Sequence, residues 1–151
     1  MKKTLSEELK EGIMTRSKGD VDGAIAKFKK IIEINPSEKD AYDLIGGCYF
    51  LKESWNESID AFKKFDELEP ENMRIHVNIG RAYGHLEQWQ AALEHFQKAM
   101  NILDSTLPPN LPNFELMKRG LQVKIAYVQE KMDPKMTWLQ KWWNFGDQPP
   151  I

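Results

Sequence analysis

The sequence predicts an all-α chain made of stacked antiparallel helical hairpins, a prediction that rests on three observations. A shift of 34 residues superimposes much of the first hundred positions on itself. Each copy divides into two apolar patterns of helical spacing with a short polar break between them, such as Ile45, Cys48, Tyr49 and then Ile59, Phe62, Phe65. Repetition stops at Leu107-Pro108-Pro109-Asn110-Leu111-Pro112, which is too rich in proline to continue a helix. At 151 residues, 41% apolar and 29% charged, one domain is the expected count.

Seven series carry the period. Gly12, Gly46 and Gly80 recur at 34, as do Phe28, Phe62 and Phe96, and the small residues Ala24, Ser58 and Ala92. The pairs Pro36/Pro70, Tyr49/Tyr83, Trp55/Trp89 and Ile45/Ile79 keep the same step. Small residues let the two helices of a hairpin approach while the phenylalanines fill the space between neighbours. Second helices begin at Asp20 in the first copy and at Ser54 in the second, where Glu57 three residues on completes a capping box. Asn35-Pro36-Ser37 and Glu69-Pro70 end one hairpin and start the next.

This pattern resembles the tetratricopeptide repeat family, whose signature is a large residue, Leu, Gly and Tyr, then Ala, Phe and Pro. The resemblance covers about residues 5–104 and implies three repeats, at about 5–38, 39–72 and 73–106, in an α-solenoid. Departures are confined to the ends. Glu8, Glu11 and Thr15 stand at first-copy positions where apolar or aromatic residues are expected, which suits a terminal repeat with nothing stacked on it, and Asp104 replaces the third proline.

Beyond the repeats, residues 107–112 read as a rigid, extended connector. Phe114, Met117, Leu121, Ile125, Val128 and Met132 then predict an amphipathic helix over 113–132, whose expected role is to cap the last repeat. Setting Gly120 at the repeat glycine makes it a degenerate fourth first-helix, with Leu116 and Val123 at two further marker positions. Asp133-Pro134 is a cap and first-turn proline for another short helix within 133–151. That helix carries Trp138, Leu139, Trp142, Trp143 and Phe145, with Trp138/Trp142 and Leu139/Trp143 each four apart on one broad face. Three surfaces are open to these rings: the protein's own helices or groove, a partner protein or second copy, and a membrane surface, against which the small number of basic residues speaks.

The composition excludes much. Twenty-one basic and 23 acidic side chains leave a net charge of −2, with no sign of nucleic-acid binding. One cysteine, Cys48, permits no internal disulfide and no multi-cysteine zinc site, and a polar amino terminus without a signal-peptide core leaves the cytoplasm as the expected compartment. No phosphate loop, nucleophile elbow or His-Glu-x-x-His pair occurs, and His76, His85 and His95 lack metal-ligand spacing, so neither catalysis nor a metal or other cofactor is expected.

Function then belongs to the concave surface. The resemblance implies that Leu9, Ile13 and Arg16 line it in the first copy, with Asp40, Asp43, Leu44, Gly47, Phe50 and Leu51 in the second and Arg74, Val77, Asn78, Arg81 and His85 in the third. One family use, clamping the carboxylate tail of a heat-shock chaperone, finds Leu9, Ile13, Leu44, Arg74 and Asn78 at its five positions. Aliphatic residues there would leave a desolvated carboxylate unpaired, at a cost of several kcal/mol. The lining instead suits a peptide with aliphatic anchors and an acidic residue, which points to a non-catalytic adaptor or assembly factor. The alternative is a chaperone-like or membrane-peripheral factor that uses the same apolar groove together with the tryptophan-rich helix. Oligomeric state is left open.

Overall fold

The computed structural model describes residues 4–133 and 135. Among these residues the secondary structure is entirely helical: α1 (Leu5–Ser17), α2 (Val21–Ile34), α3 (Lys39–Leu51), α4 (Trp55–Leu68), α5 (Met73–His85), α6 (Trp89–Thr106) and α7 (Phe114–Met132). Consecutive helices pair as the period requires, α1 with α2, α3 with α4 and α5 with α6. The chain divides into two compact units, Met1–Pro70 and Glu71–Ile151.

The glycine and phenylalanine series explain one another. A Cβ placed on Gly12 would lie 2.3 Å from the Phe28 ring, and one on Gly46 or Gly80 would lie 2.7 Å from Phe62 or Phe96. Each hairpin is therefore closed by a ring laid against a bare backbone, sixteen residues after its glycine. Phe28 and Phe62 are fully or almost fully buried, as is Phe96. The small-residue series lies beside this contact. In the second hairpin its serine also donates a buried hydrogen bond, Ser58 Oγ to the Gly46 carbonyl at 2.8 Å.

The turns repeat as closely as the helices. Asp20, Ser54 and Gln88 donate their N–H to the carbonyls of Thr15, Tyr49 and Tyr83 at 3.2, 3.0 and 3.0 Å. This closure needs a left-handed residue one position earlier, and Gly19 (φ 90°), Glu53 (φ 57°) and Glu87 (φ 57°) supply it, again 34 apart. Asp20 caps α2 through Gly23 N–H at 2.8 Å, as expected. Ser54 occupies the cap of α4 without a side-chain cap bond, so the capping box predicted there is absent. A capping box closes α1 instead, where Thr4 and Glu7 exchange bonds of 2.7 and 3.3 Å.

In the first unit α2 also packs on α3, and α1 touches α3. Ile25, Phe28, Ile31, Ile45 and Cys48 form the core, edged by Leu9, Leu44 and Tyr49. Surface pairs such as Lys27–Glu11 at 2.6 Å, Lys39–Glu69 and Lys52–Asp22 add little stability individually.

In the second unit α7 packs on α6, and Phe96, Leu103, Phe114, Leu121, Ile125 and Val128 share a core. With Asp104 in place of the third proline, α6 runs on to Thr106, 18 residues against 14 in α2 and α4. The connector is turned, not extended: Leu111 N–H bonds Pro108 O and Phe114 N–H bonds Leu111 O, both at 3.0 Å, and left-handed Asn113 (φ 69°) leads into α7.

The buried face of α7 corrects its expected register. Leu121, Ile125 and Val128 repeat the buried Ile75, Ile79 and Ala82 of α5 at a shift of 46, which is the 34 of the repeat plus 12. Ala126 therefore stands at the glycine position. Gly120 meets nothing within 4 Å, and Leu116 and Val123, 69% and 58% exposed, are not core markers.

Candidate functional site

In the second unit the helices α5 and α7 stand side by side on α6 with a cavity of about 350 Å³ between them. Gly80, Arg81, Gly84 and His85 line it from α5, Val123, Lys124, Tyr127 and Val128 from α7, and Phe96 rises from α6. Gly84 keeps the α5 wall low. The open side of Gly84 faces Trp89, where an added Cβ would come no closer than 4.0 Å. Trp89 meets Tyr127 edge-on, with ring centroids 6.2 Å apart, and the Lys131 ammonium lies 5.4 Å from the Tyr127 centroid. The result is an apolar floor with Arg81, Lys124 and His85 along its margin.

Two of the fourteen residues assigned to the groove, Arg81 and His85, line this cavity. Arg74 is exposed, Asn78 is half-buried, and Val77 packs against the core of the unit. In the first unit Leu9 and Leu44 are half-buried against the core, and Asp43 and Gly47 are half-buried as well. Phe50 meets Trp55 edge-on at 4.9 Å, whereas Ile13 and Leu51 are 38% and 65% exposed. Arg16 reaches across to Gly47, and its guanidinium would lie 3.7 Å from a Cβ there.

Val123, Lys124 and Tyr127 were not expected in the site. At the shift of 46 they correspond to Val77, Asn78 and Arg81, all groove positions by the resemblance, so the signal was present in the core triad of α7. Trp138, Leu139, Trp142, Trp143 and Phe145, the proposed second interface, lie outside the described residues.

Two of the three histidines and the cysteine have structural surroundings. His76 and His95 meet Nδ1 to Nδ1 at 3.2 Å, and His95 stacks on Tyr83 with centroids 5.6 Å apart. Burial pushes the Cys48 thiol above its ordinary pKa, with the nearby Arg16 opposing the shift. Among the described residues no cluster of His, Cys, Asp or Glu could hold a metal ion, and no helix is long and apolar enough to cross a membrane.

No protein-family model matches the chain, and no curated protein is similar to it in sequence. Solved structures are similar in fold. The type III secretion chaperone SycD of Yersinia enterocolitica, in complex with a peptide of the translocator YopD, superposes with a TM-score of 0.76 at 11% identity, over 88% of this chain and 98% of that one. PcrH in complex with the chaperone binding region of PopD gives 0.74 at 13% identity, over 85% and 93%. The TPR2B domain of yeast Sti1 in complex with an Hsp70 peptide gives 0.70 at 18% identity, over 83% and 96%. At such identities the likeness is one of architecture, and it agrees with the recurring glycine–phenylalanine hairpins: the chain has a tetratricopeptide-like fold.

Proposed function

We propose that the chain is a non-catalytic adaptor or assembly factor that binds a peptide segment of another protein in the cavity between α5 and α7. The observation that carries this reading is the cavity itself, about 350 Å³ with an apolar floor and Arg81, Lys124 and His85 at its margin. Apolar side chains of a ligand gain affinity by leaving water there, at about 25 cal/mol per Å² buried. A carboxylate of the ligand near Arg81 and Lys124 would set its direction and register. The expected ligand is therefore an extended or helical segment with aliphatic or aromatic anchors and one acidic residue. Support comes also from SycD, PcrH and the Sti1 domain, similar folds that are each in complex with a peptide or binding region of another protein.

Selection from a displayed library of random peptides tests this. Peptides that combine apolar anchors with Asp or Glu should be enriched, and Arg81→Glu with Lys124→Glu should weaken them at least about tenfold while the helical circular dichroism is unchanged. Enriched peptides that bind the doubly reversed variant equally well would place the site elsewhere.

A further inference from the structure

The second and third hairpins close with the same turn and differ in one ring beside it. Glu53 N–H bonds Phe50 O and Glu87 N–H bonds Gly84 O, both at 3.1 Å, and Glu53 and Glu87 share a φ of 57°. Position 84 therefore stands to Trp89 as position 50 stands to Trp55. In the second hairpin Phe50 meets Trp55 edge-on, with ring centroids 4.9 Å apart. In the third hairpin glycine replaces that phenylalanine, and a Cβ built on Gly84 would meet only Trp89, at 4.0 Å. Tyr127 does not take the ring's place. Its centroid is 6.2 Å from that of Trp89, and it is 53% exposed at the cavity rim. Gly84 lies within α5 without a left-handed φ, so its backbone does not call for glycine. Its effect is to open the cavity toward Trp89. Among the described residues that line the cavity none is acidic, and Arg81, Lys124 and His85 stand beside the opening.

We propose that the cavity takes an aromatic side chain of the ligand over Gly84, against Trp89, in the place that Phe50 holds against Trp55, with an acidic residue of the ligand close by. The proposal rests on the reading of the cavity as a peptide site and narrows its ligand from any apolar anchor to an aromatic one. The second hairpin shows what fills this place when the chain supplies it: a phenyl ring, edge-on to the indole. Aromatic pairs with centroids about 4.5–7 Å apart attract through their quadrupoles beyond the area they bury, which a leucine anchor does not reproduce. Arg81 and Lys124 then face the carboxylate. Gly84 is the residue that sets the specificity, because a side chain there would occupy the place of the ligand's ring.

Peptides selected from a displayed random library on the intact protein test the proposal. They should carry Phe, Tyr or Trp within a few residues of Asp or Glu, and exchange of that ring for Leu should weaken binding at least about tenfold. Gly84→Phe supplies the ring from the chain itself. Its urea midpoint should equal or exceed the original, and it should bind the same peptides at least about tenfold more weakly, while Gly84→Ala keeps binding within about threefold. Peptides with aliphatic anchors that Arg81→Glu with Lys124→Glu weakens, but Gly84→Phe does not, would overturn the aromatic anchor and leave the cavity a peptide site. Peptides indifferent to all of these variants would remove both. A lower urea midpoint in Gly84→Phe would mean that the space over Trp89 is already filled, and would overturn the proposal. Self-association of the unmodified protein that Gly84→Phe abolishes would give the place to a second copy and overturn it too.

Discussion

The first helices of the two units obey one sequence grammar and reach opposite ends. In the first unit α1 and α3 touch, and the aliphatic residues at their inner positions, Leu9 and Leu44, are drawn against the core. In the second unit α5 and α7 are parted by a cavity, and the inner positions carry Arg81, Lys124 and Tyr127 at its edge. The difference follows from two local changes. Asp104 in place of a proline lengthens α6, and the turned connector delivers α7 with 12 extra residues between corresponding positions. The hairpin supplies stability in both units. Its neighbour's placement decides whether the inner face becomes core or cavity wall.

The largest expected effect tests the part that the units share. Gly12→Leu or Gly46→Leu drives a side chain into a buried phenylalanine ring and should cost about 3 kcal/mol or more, read by urea unfolding. Gly120→Leu, on a face with nothing within 4 Å, should cost no more than about 0.5 kcal/mol. If the two cost the same, the glycine–phenylalanine contact does not define the hairpin.

The next largest effect separates the units. Leu44→Glu buries a charge at the edge of the first core and should destabilise by about 2–3 kcal/mol. Arg81→Glu, exposed at the cavity, should leave unfolding within about 0.5 kcal/mol of the original while weakening peptide capture. An Arg81 variant that lost stability as Leu44→Glu does would make the cavity margin a structural element.

The hairpins were legible because their cause is local. A glycine and a phenylalanine sixteen residues apart can be read from the letters, and the period repeats the reading three times. The register of α7 is not legible in the same way: Gly120 imitates the repeat glycine in the letters, whereas the physical constraint is the buried triad Leu121, Ile125 and Val128 in the core shared with α6. A register six residues off leaves Lys124 and Tyr127 out of the cavity wall. The connector misled for a related reason. Its prolines forbid helix, but they do not distinguish an extended strand from consecutive turns, and Asn113 in the left-handed region decided for turns. For Leu9 and Leu44 the resemblance gave the direction of each side chain, while the closeness of α1 to α3, a tertiary fact, decided its burial.

The smallest effect concerns the turns, where the units agree. Gly19 takes the left-handed conformation without strain, and Glu53 and Glu87 adopt it despite their Cβ atoms. A non-glycine residue there costs roughly 1–2 kcal/mol, and glycine gives back part of the gain because its unfolded chain is freer. Glu53→Gly in the first unit and Glu87→Gly in the second should therefore each stabilise by about 0.5–1 kcal/mol, seen as a higher urea midpoint with an unchanged slope. The gains should add, since the two turns share no partner in the bonds that close them. A gain from only one of the two would mean that the three turns are alike in backbone angle but not in energy, and that the repeat is less uniform than its hydrogen bonds suggest.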